Sequence, residues 1–230
     1  PPRKIRGCGS PGAAVEGQIE PHQGHHAQRS VGGIQAGERS GPDGNDQRAP
    51  AYDSVAGGWT APFVMAAINT RIVRRSNALL DYEYGRDFRY DESVLCGGGL
   101  LGFATASATA TALGALLVGV GVAPTRVLLE KLFLPKPGDG PSANARERGF
   151  FDILLIGKSP DGELLRAKVY GDRDPGYGAT SRMLGEAAVC LATDNIAAGG
   201  GFWTPASSMG FDLIERLESA AGMSFDIEPD

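Results

Sequence analysis

From residue 51 onward, the sequence predicts an α+β fold in which a mixed or antiparallel sheet is packed by helices. Two apolar runs at 150–158 and 163–170 flank Ser159-Pro160-Asp161-Gly162, a turn signal that predicts a β-hairpin. Helical patterns at 180–192 and 205–220 come after this hairpin, whereas a doubly wound sheet would alternate strands with helices. The 42% hydrophobic content is enough to build a core.

The first elements of this domain are predicted to be a helix and then a strand. Apolar residues recur at helical spacing over 60–80, with Thr60 as the cap and Pro62 in the first turn. Residues 81–92 carry aromatic side chains at even spacing, which predicts a strand with Gly85 as a bulge. These aromatic residues are Tyr82, Tyr84, Phe88 and Tyr90.

An uncharged insert at about 97–124 follows the predicted strand. No Asp, Glu, Lys or Arg occurs from Ser93 to Thr125, and residues 100–122 are long enough as a helix to cross a bilayer. Gly, Ala, Ser and Thr dominate this stretch, so a buried hairpin in a soluble dimer explains it equally well. A short amphipathic helix is expected over 125–134.

The hairpin is expected to pack against the helix at 180–192 and to place Leu155 in the core. Replacing Leu155 by Asp would then bury a charge and unfold the domain. A last helix over 205–220 and a terminal strand at 223–227 complete the fold. The helix residues expected to face the sheet are Met183, Leu184, Ala187 and Leu191.

Residues 1–50 have a different composition from the rest. They contain no Leu, Met, Phe, Trp or Tyr, and no window has helical or strand periodicity. This composition predicts a disordered segment without stable structure. A second interpretation is out-of-frame translation of a GC-rich gene, which produces the same residue types.

Charge and metal-ligand content exclude several classes of function. With 27 acidic and 22 basic residues, the net charge of −5 argues against a nucleic-acid partner. Cys8, Cys96 and Cys190 have neither disulfide-framework nor zinc-ligand spacing, and no His follows His26. The run 96–102 is glycine-rich, but its spacing is interpreted as missing the G-x-G-x-x-G turn, no βαβ unit surrounds it and no acidic residue lies about 20 positions downstream. We therefore predict no metal site and no cofactor-binding site within this chain.

Longer motifs resemble a known family. In their order and spacing they are similar to the C-terminal part of the saccharopine dehydrogenase-like oxidoreductases, most of all to the actinobacterial branch called trans-acting enoyl reductases. The resemblance covers about residues 57–230. It implies a nicotinamide cofactor, NAD(P)H, bound in complete members by an N-terminal Rossmann domain that these motifs do not include. The motifs are APFVM at 61–65, RRSNALL at 74–80, PKPGDGPS at 135–142, RERGFF at 146–151, GDRDPGYGAT at 171–180 and WTPASSMG at 203–210.

This resemblance implies a truncated reductase of lipid or polyketide-derived enoyl substrates, as in glycolipid biosynthesis, inactive by itself. The expected partners are the missing nucleotide-binding domain, a second copy of the chain and a membrane or lipid surface, and the expected localisation is cytoplasmic or membrane-associated. The alternative is a non-enzymatic membrane-associated or dimerising module built on the uncharged insert. Tyr177 is the only general acid on a motif, and the sequence contains no recognisable nucleophile–base pair, so the catalytic residues stay unknown. The substrate or cleft candidates are Asn69, Arg71, Arg74, Arg75, Asn77, Asp174 and Tyr177.

Overall fold

The computed structural model describes residues 3–4, 44–132 and 138–228, which form two compact units. One unit lies within residues 40–141, and the other contains residues from 142 onward together with a short strand, β1 (Arg3–Lys4). Both units combine antiparallel strands with helices, so the predicted α+β class is confirmed. The single domain predicted over 51–230 is divided between the two units. Most of the segment predicted to be disordered, residues 1–50, lies outside the described residues.

A three-stranded antiparallel sheet organises the unit within residues 40–141. Its strands are β2 (Ala51–Asp53), β3 (Gly58–Pro62) and β4 (Ser93–Gly97), with β3 in the centre. The Asp53 carboxylate accepts hydrogen bonds from the backbone N–H groups of Val55 and Ala56, which closes the turn between β2 and β3. Gln47 donates to the carbonyl of Thr60, so ordered contacts begin before the expected boundary at residue 50.

The first helix, α1 (Ala66–Leu79), starts six residues later than its expected start. Thr60 lies in β3, where its hydroxyl donates to the carbonyl of Ala51, and Pro62 ends that strand. The prediction that Thr60 caps the helix and that Pro62 occupies its first turn is therefore wrong. These residues form a strand and not the start of a helix because Thr60 and Ala61 are buried between β2 and β4, where an extended backbone pairs with both neighbours.

The strand predicted over 81–92 is also wrong, because these residues form a loop. Asn77 at the end of α1 organises it: its amide donates to the carbonyl of Gly85 and accepts from the N–H of Tyr84. Asp81 and Tyr82 adopt left-handed backbone angles, which a strand does not allow. The ring of Phe88 contacts the rings of Tyr84 and Tyr90 within this loop. The even spacing of these residues therefore reflects contacts between their rings and not a strand.

The uncharged insert is helical, as predicted. It forms α2 (Gly99–Gly121), and α3 (Ala123–Leu132) follows after a break at Val122. Gly102 and Ala106, near the start of α2, are its buried residues, and the ring of Phe103 meets that of Trp59 on β3 at 4.8 Å. A Cβ atom at Gly119 would lie 2.9 Å from Leu129 of α3, so the chain folds back at the break.

The other unit begins with α4 (Ala143–Arg148) and the predicted hairpin. Strands β5 (Phe151–Lys158) and β6 (Leu164–Gly171) pair antiparallel in full register, which confirms the hairpin. Its turn is closed by a hydrogen bond from the Gly162 N–H to the Ser159 carbonyl, and Gly162 has a φ of +90°, which favours glycine.

Three helices and a last strand complete this unit: α5 (Gly178–Thr193), α6 (Pro205–Ser208), α7 (Gly210–Ala220) and β7 (Met223–Glu228). The predicted helix at 180–192 and the terminal strand are confirmed. The helix predicted over 205–220 is interrupted at Met209, because Gly210 has a φ of +50°. The sheet order is β1-β7-β6-β5.

The core of this unit lies between α7 and the sheet. Leu217 and Ala221 of α7 pack with Met223 of β7, and partly buried side chains surround them. These side chains are Phe151, Val169, Met183, Leu213 and Phe225. Helix α5 therefore supplies Met183 as expected, but Leu184 and Leu191 are exposed. The expectation that α5 covers the hairpin is wrong because α7, next to β7 in sequence, takes that place. Leu155 is 38% exposed, so an Asp there would not be fully buried.

Candidate functional site

A cleft of about 260 Å³ lies between α1, the loop 80–92 and residues 44–46, and we call it the α1 cleft. Two guanidinium groups and two carboxylates line it, together with a tyrosine. Such a set of charges can hold a polar or anionic group through charge-assisted hydrogen bonds. The lining residues are Gly44, Asn45, Asp46, Arg74, Arg89, Tyr90 and Asp91.

The carboxylate of Glu92 fixes one wall of the α1 cleft. It accepts a hydrogen bond of 3.0 Å from the amide of Asn69 on α1 and one of 2.9 Å from the hydroxyl of Tyr90. Burial of Tyr90, and then this hydrogen bond to Glu92, raise the pKa of the Tyr90 hydroxyl well above its usual range. Tyr90 therefore stays protonated at neutral pH and acts as a hydrogen-bond donor.

The arginine candidates on α1 have different surroundings. Arg74 lines the α1 cleft, and its guanidinium lies 3.5 Å from the carbonyl of Tyr90. Arg71 is exposed, forms an ion pair of 3.4 Å with Asp46 and donates to the carbonyl of Ala67. Arg75 is half-buried on α1 and is not among the residues that line the cleft. Of the candidates on α1, Arg74 lines the cleft, whereas Asn69 is connected to it through Glu92 and Tyr90, and Arg71 through Asp46.

Asn77 is a buried residue that holds the loop 80–92 to the end of α1. Both ends of its side-chain amide are engaged, with Gly85 as the acceptor and Tyr84 as the donor. This geometry gives Asn77 a structural contribution, since it positions the loop that carries Arg89 and Tyr90.

The remaining candidates, Asp174 and Tyr177, belong to the other unit, at the start of α5. The Asp174 carboxylate accepts hydrogen bonds from the N–H groups of Tyr177 at 2.7 Å and Gly178 at 3.3 Å. These bonds lower the pKa of Asp174, as expected for a carboxylate at a helix N-terminus. Tyr177 is exposed. Asp174 therefore stabilises the turn that leads into α5.

A larger polar depression of about 730 Å³ lies between α5 and α7. Its arginine, Arg216, is held by Asp194 at 2.6 Å and by Glu186 at 3.4 Å. The hydrogen bonds from Arg216 lower the pKa of Asp194 strongly, whereas burial raises the pKa of the neighbouring Cys190 thiol. The depression is open to solvent, and its arginine is already paired with carboxylates. The ion pairs of Arg216 therefore connect α5 and α7, and the depression does not resemble a substrate site.

The Arg216 pair makes a pH-dependent contribution to stability. Because the pKa of Asp194 is lower in the folded state than in the unfolded chain, its contribution is complete above about pH 4 and is lost as the pH falls further. We expect Asp194→Asn to lower the urea midpoint at pH 7, and the difference from wild type to shrink towards pH 3. Asp161→Asn, in the exposed hairpin turn, is the control and should change neither value. A difference independent of pH would contradict this.

The glycine run at 96–102 connects β4 to α2, as a dinucleotide-binding turn connects a strand to a helix. Glycines 97, 99 and 102 have the G-x-G-x-x-G spacing, so the interpretation that this run misses the motif is wrong. However, β4 belongs to an antiparallel sheet, and no carboxylate for a ribose follows before Glu130. Gly102 instead lets α2 pack onto the backbone of Gly97. This turn therefore does not fit a nicotinamide nucleotide.

The sequence interpretation missed Arg89, Tyr90 and Glu92 as parts of a site. Their spacing was assigned to a strand, which would separate them on two faces. The available signal was Asn77, whose amide can organise a loop after a helix. Among the described residues, no group of three or more His, Cys, Asp or Glu side chains could hold a metal ion.

Comparisons with known proteins give one consistent result. No protein-family model matches the chain, and no solved structure matches it. A protein of Mycobacterium tuberculosis (strain H37Rv) named as a trans-acting enoyl reductase is 46% identical over 175 residues, which are 74% of this chain and 41% of that protein. Trans-acting enoyl reductases of Mycobacterium ulcerans and Mycobacterium bovis BCG are 39% and 38% identical, over 71% and 75% of this chain and 40% and 43% of their own lengths. The chain is thus a homologue of proteins named trans-acting enoyl reductases, and it spans about two fifths of their length.

Proposed function

We propose that this chain forms the substrate-binding part of an enoyl-reductase-type oxidoreductase. The observation that carries the proposal is the 38–46% identity to trans-acting enoyl reductases over about three quarters of the chain. In this proposal the substrates are lipid or polyketide-derived enoyl thioesters. The chain corresponds to the C-terminal part of a saccharopine dehydrogenase-like reductase, and NAD(P)H binds to a separate nucleotide-binding domain.

The α1 cleft is the proposed place where the chain holds the polar end of such a substrate. Arg74 and Arg89 bring two guanidinium groups to one cleft, and guanidinium groups bind phosphate and carbonyl oxygens well. Asp46 is already paired with Arg71, so part of the negative charge at the cleft is compensated before a ligand binds. The Glu92 hydrogen bonds hold Tyr90 against α1, which keeps the wall between the two arginines in place.

Reduction of an enoyl thioester adds a hydride to the β-carbon and a proton to the α-carbon. A bound nicotinamide would supply the hydride, and in this proposal the separate nucleotide-binding domain holds it. The contribution of this chain in the proposal is therefore to bind and orient the substrate, which by itself produces no turnover.

Calorimetric titration of the purified chain with a trans-2-enoyl coenzyme A tests this proposal. We expect saturable binding, and Arg74→Ala and Arg89→Ala should each weaken it by about 10-fold or more, since a hydrogen bond to a charged group contributes about 1.5–3 kcal/mol. Arg182→Ala, on α5 in the other unit, is the matched control and should bind like wild type. Binding that is unchanged in both cleft variants would contradict the proposed site.

A parallel titration with NADPH tests the proposal that the cofactor binds to a separate domain. We expect no saturable binding by the chain alone, because the glycine run at 96–102 does not fit the nucleotide. Saturable NADPH binding that Gly99→Val abolishes would show that the turn before α2 is a cofactor site after all. In that case the chain would hold both ligands, and the assignment of the cofactor to a separate domain would be wrong.

A further inference from the structure

The second half of α2 is apolar on every side and is covered by little protein. Leu116, Leu117 and Val118 follow one another at steps of about 100° around the helix, so they face all directions. All three are exposed, and Leu117 and Val118 are 63% and 68% exposed. A helix that is hydrophobic all round is normally buried in protein or in lipid. Residues 111–122 therefore form a rod that requires an apolar environment.

One side of the first half of α2 packs within the same unit, whereas Leu100 and Leu101 on it are exposed. Gly102 packs on the backbone of Gly97, Ala106 is fully buried, and the ring of Phe103 meets that of Trp59 edge to face. By length and composition, α2 as a whole could cross a membrane. The residues that pack on β3 and β4 are not available to lipid, however. What remains, residues 111–122, is about 18 Å long, which is too short to cross a hydrocarbon core of about 30 Å.

The end of the rod is closed in a way that suits lipid. The Thr125 hydroxyl lies 2.6 Å from the carbonyl oxygen of Gly119 and 2.8 Å from that of Val122, so it donates to the carbonyl groups that the helix end leaves open. The N–H of Val122 donates to the carbonyl of Val118. Thr105 also directs its hydroxyl to a carbonyl of its own helix, that of Leu101. Satisfied backbone groups are a requirement inside a bilayer, where no water can replace a missing partner, and this helix end meets that requirement.

Charged residues resume directly after the apolar rod. No charged residue occurs from Ser93 to Thr125, and the first one, Arg126, is exposed on α3 just after the turn. A long arginine side chain can extend from the apolar region to lipid phosphates. Contact with a second protein chain would not require that an exposed apolar helix end in satisfied backbone groups with an arginine close by.

We propose that the α2–α3 turn inserts into one leaflet of a lipid bilayer and anchors this unit to the membrane surface without crossing it. The anchor comprises residues 111–126, with the rod lying along the leaflet just below the headgroups, so that the Arg126 side chain can reach the phosphates. This interaction is independent of the proposed reductase function, because no residue of the α1 cleft takes part in it.

Flotation of the full 230-residue chain with vesicles of phosphatidylethanolamine and phosphatidylglycerol tests the anchor. We expect the wild type to float with the vesicles and the double variant Leu117→Asp, Val118→Asp to lose at least 10-fold of the floated fraction, since a carboxylate inside the bilayer is costly. Leu184→Asp is the matched control, because Leu184 is 70% exposed on α5, and it should float like wild type. Circular dichroism identical to wild type will show that the variants fold, as exposed positions predict.

Two further readouts separate the anchor from its alternatives. In the one-leaflet arrangement, the variant Arg126→Cys reacts with an impermeant maleimide added outside the vesicles. Its extent of labelling should exceed that of the wild type, which has only the three native cysteines. Protection of that cysteine would indicate a spanning helix and overturn the one-leaflet geometry. A wild type that stays in the dense fraction and elutes as a dimer, which the double variant converts to a monomer, would assign the rod to a second copy and overturn the membrane proposal.

Discussion

Replacing Leu217 by alanine is expected to lower the stability of the unit that contains β5, β6 and β7 by about 2–5 kcal/mol. Leu217 is only 6% exposed and lies at the centre of the contact between α7 and the sheet. Its neighbours, among them Met223 and Phe225, are held in strands and cannot collapse into the space that the side chain leaves. The substitution should therefore create a cavity as well as remove buried apolar area.

Leu155→Ala is the matched control for this result, because it makes the same truncation at a leucine that is 38% exposed. It should cost about 1 kcal/mol, in proportion to the smaller area withdrawn from water. A urea titration followed by hydrogen-exchange mass spectrometry measures both variants and follows β6–β7 and β3–β4 separately. If Leu155→Ala were the more damaging variant, the core would lie where the sequence first suggested, against the hairpin.

Gly102→Ala is expected to destabilise the other unit by about 3 kcal/mol, at the upper end of the range for overpacking. A Cβ atom at this position would overlap the carbonyl oxygen of Gly97, and the two backbone segments that carry these atoms cannot separate without shifting α2 from β4. Contacts that depend on this approach, such as that between Phe103 and Trp59, would then be lost. Loss of amide protection in β3 and β4 will measure the effect.

Gly114→Ala in the same helix should have the opposite sign. A Cβ atom at Gly114 meets nothing within 4 Å, so only the higher helix propensity of alanine remains, which contributes up to about 1 kcal/mol in favour of the helix. Equal stabilisation by both substitutions would show that α2 does not pack closely on β4. Equal destabilisation would point to a general effect on the helix.

Elements that depend on local signals were predictable from the sequence. The β5–β6 hairpin follows from a Pro-Asp-Gly turn between two apolar runs, and α2 follows from a long uncharged stretch. The loop 80–92 was not predictable in the same way, because even spacing of aromatic residues is shared by strands and by loops in which the rings stack. What decides between them is the Asn77 side chain, which binds the loop backbone from outside the window.

The candidate site shows the same limit. Asn69 and Arg74 could be selected from the sequence because they lie on one predicted helix. Their partners Tyr90 and Glu92 come from a loop about 20 positions away, and no periodicity reports that proximity. Asp174 was selected as a polar loop residue, whereas its carboxylate is engaged by N–H groups only three and four positions on. The sequence gives the chemistry of a side chain but does not show which backbone groups will form hydrogen bonds with it.

The position of β5 in its sheet has a consequence for handling the protein. Among the described strands, β5 pairs only with β6, so the outer row of amide and carbonyl groups along eight residues lies at the sheet boundary. The strand is rich in Ile and Leu, and such a boundary is a template on which another extended segment can add by main-chain hydrogen bonding. The time that this unit stays in solution should therefore become shorter as the protein concentration rises. Self-association through strand addition is the first process to control when it is purified.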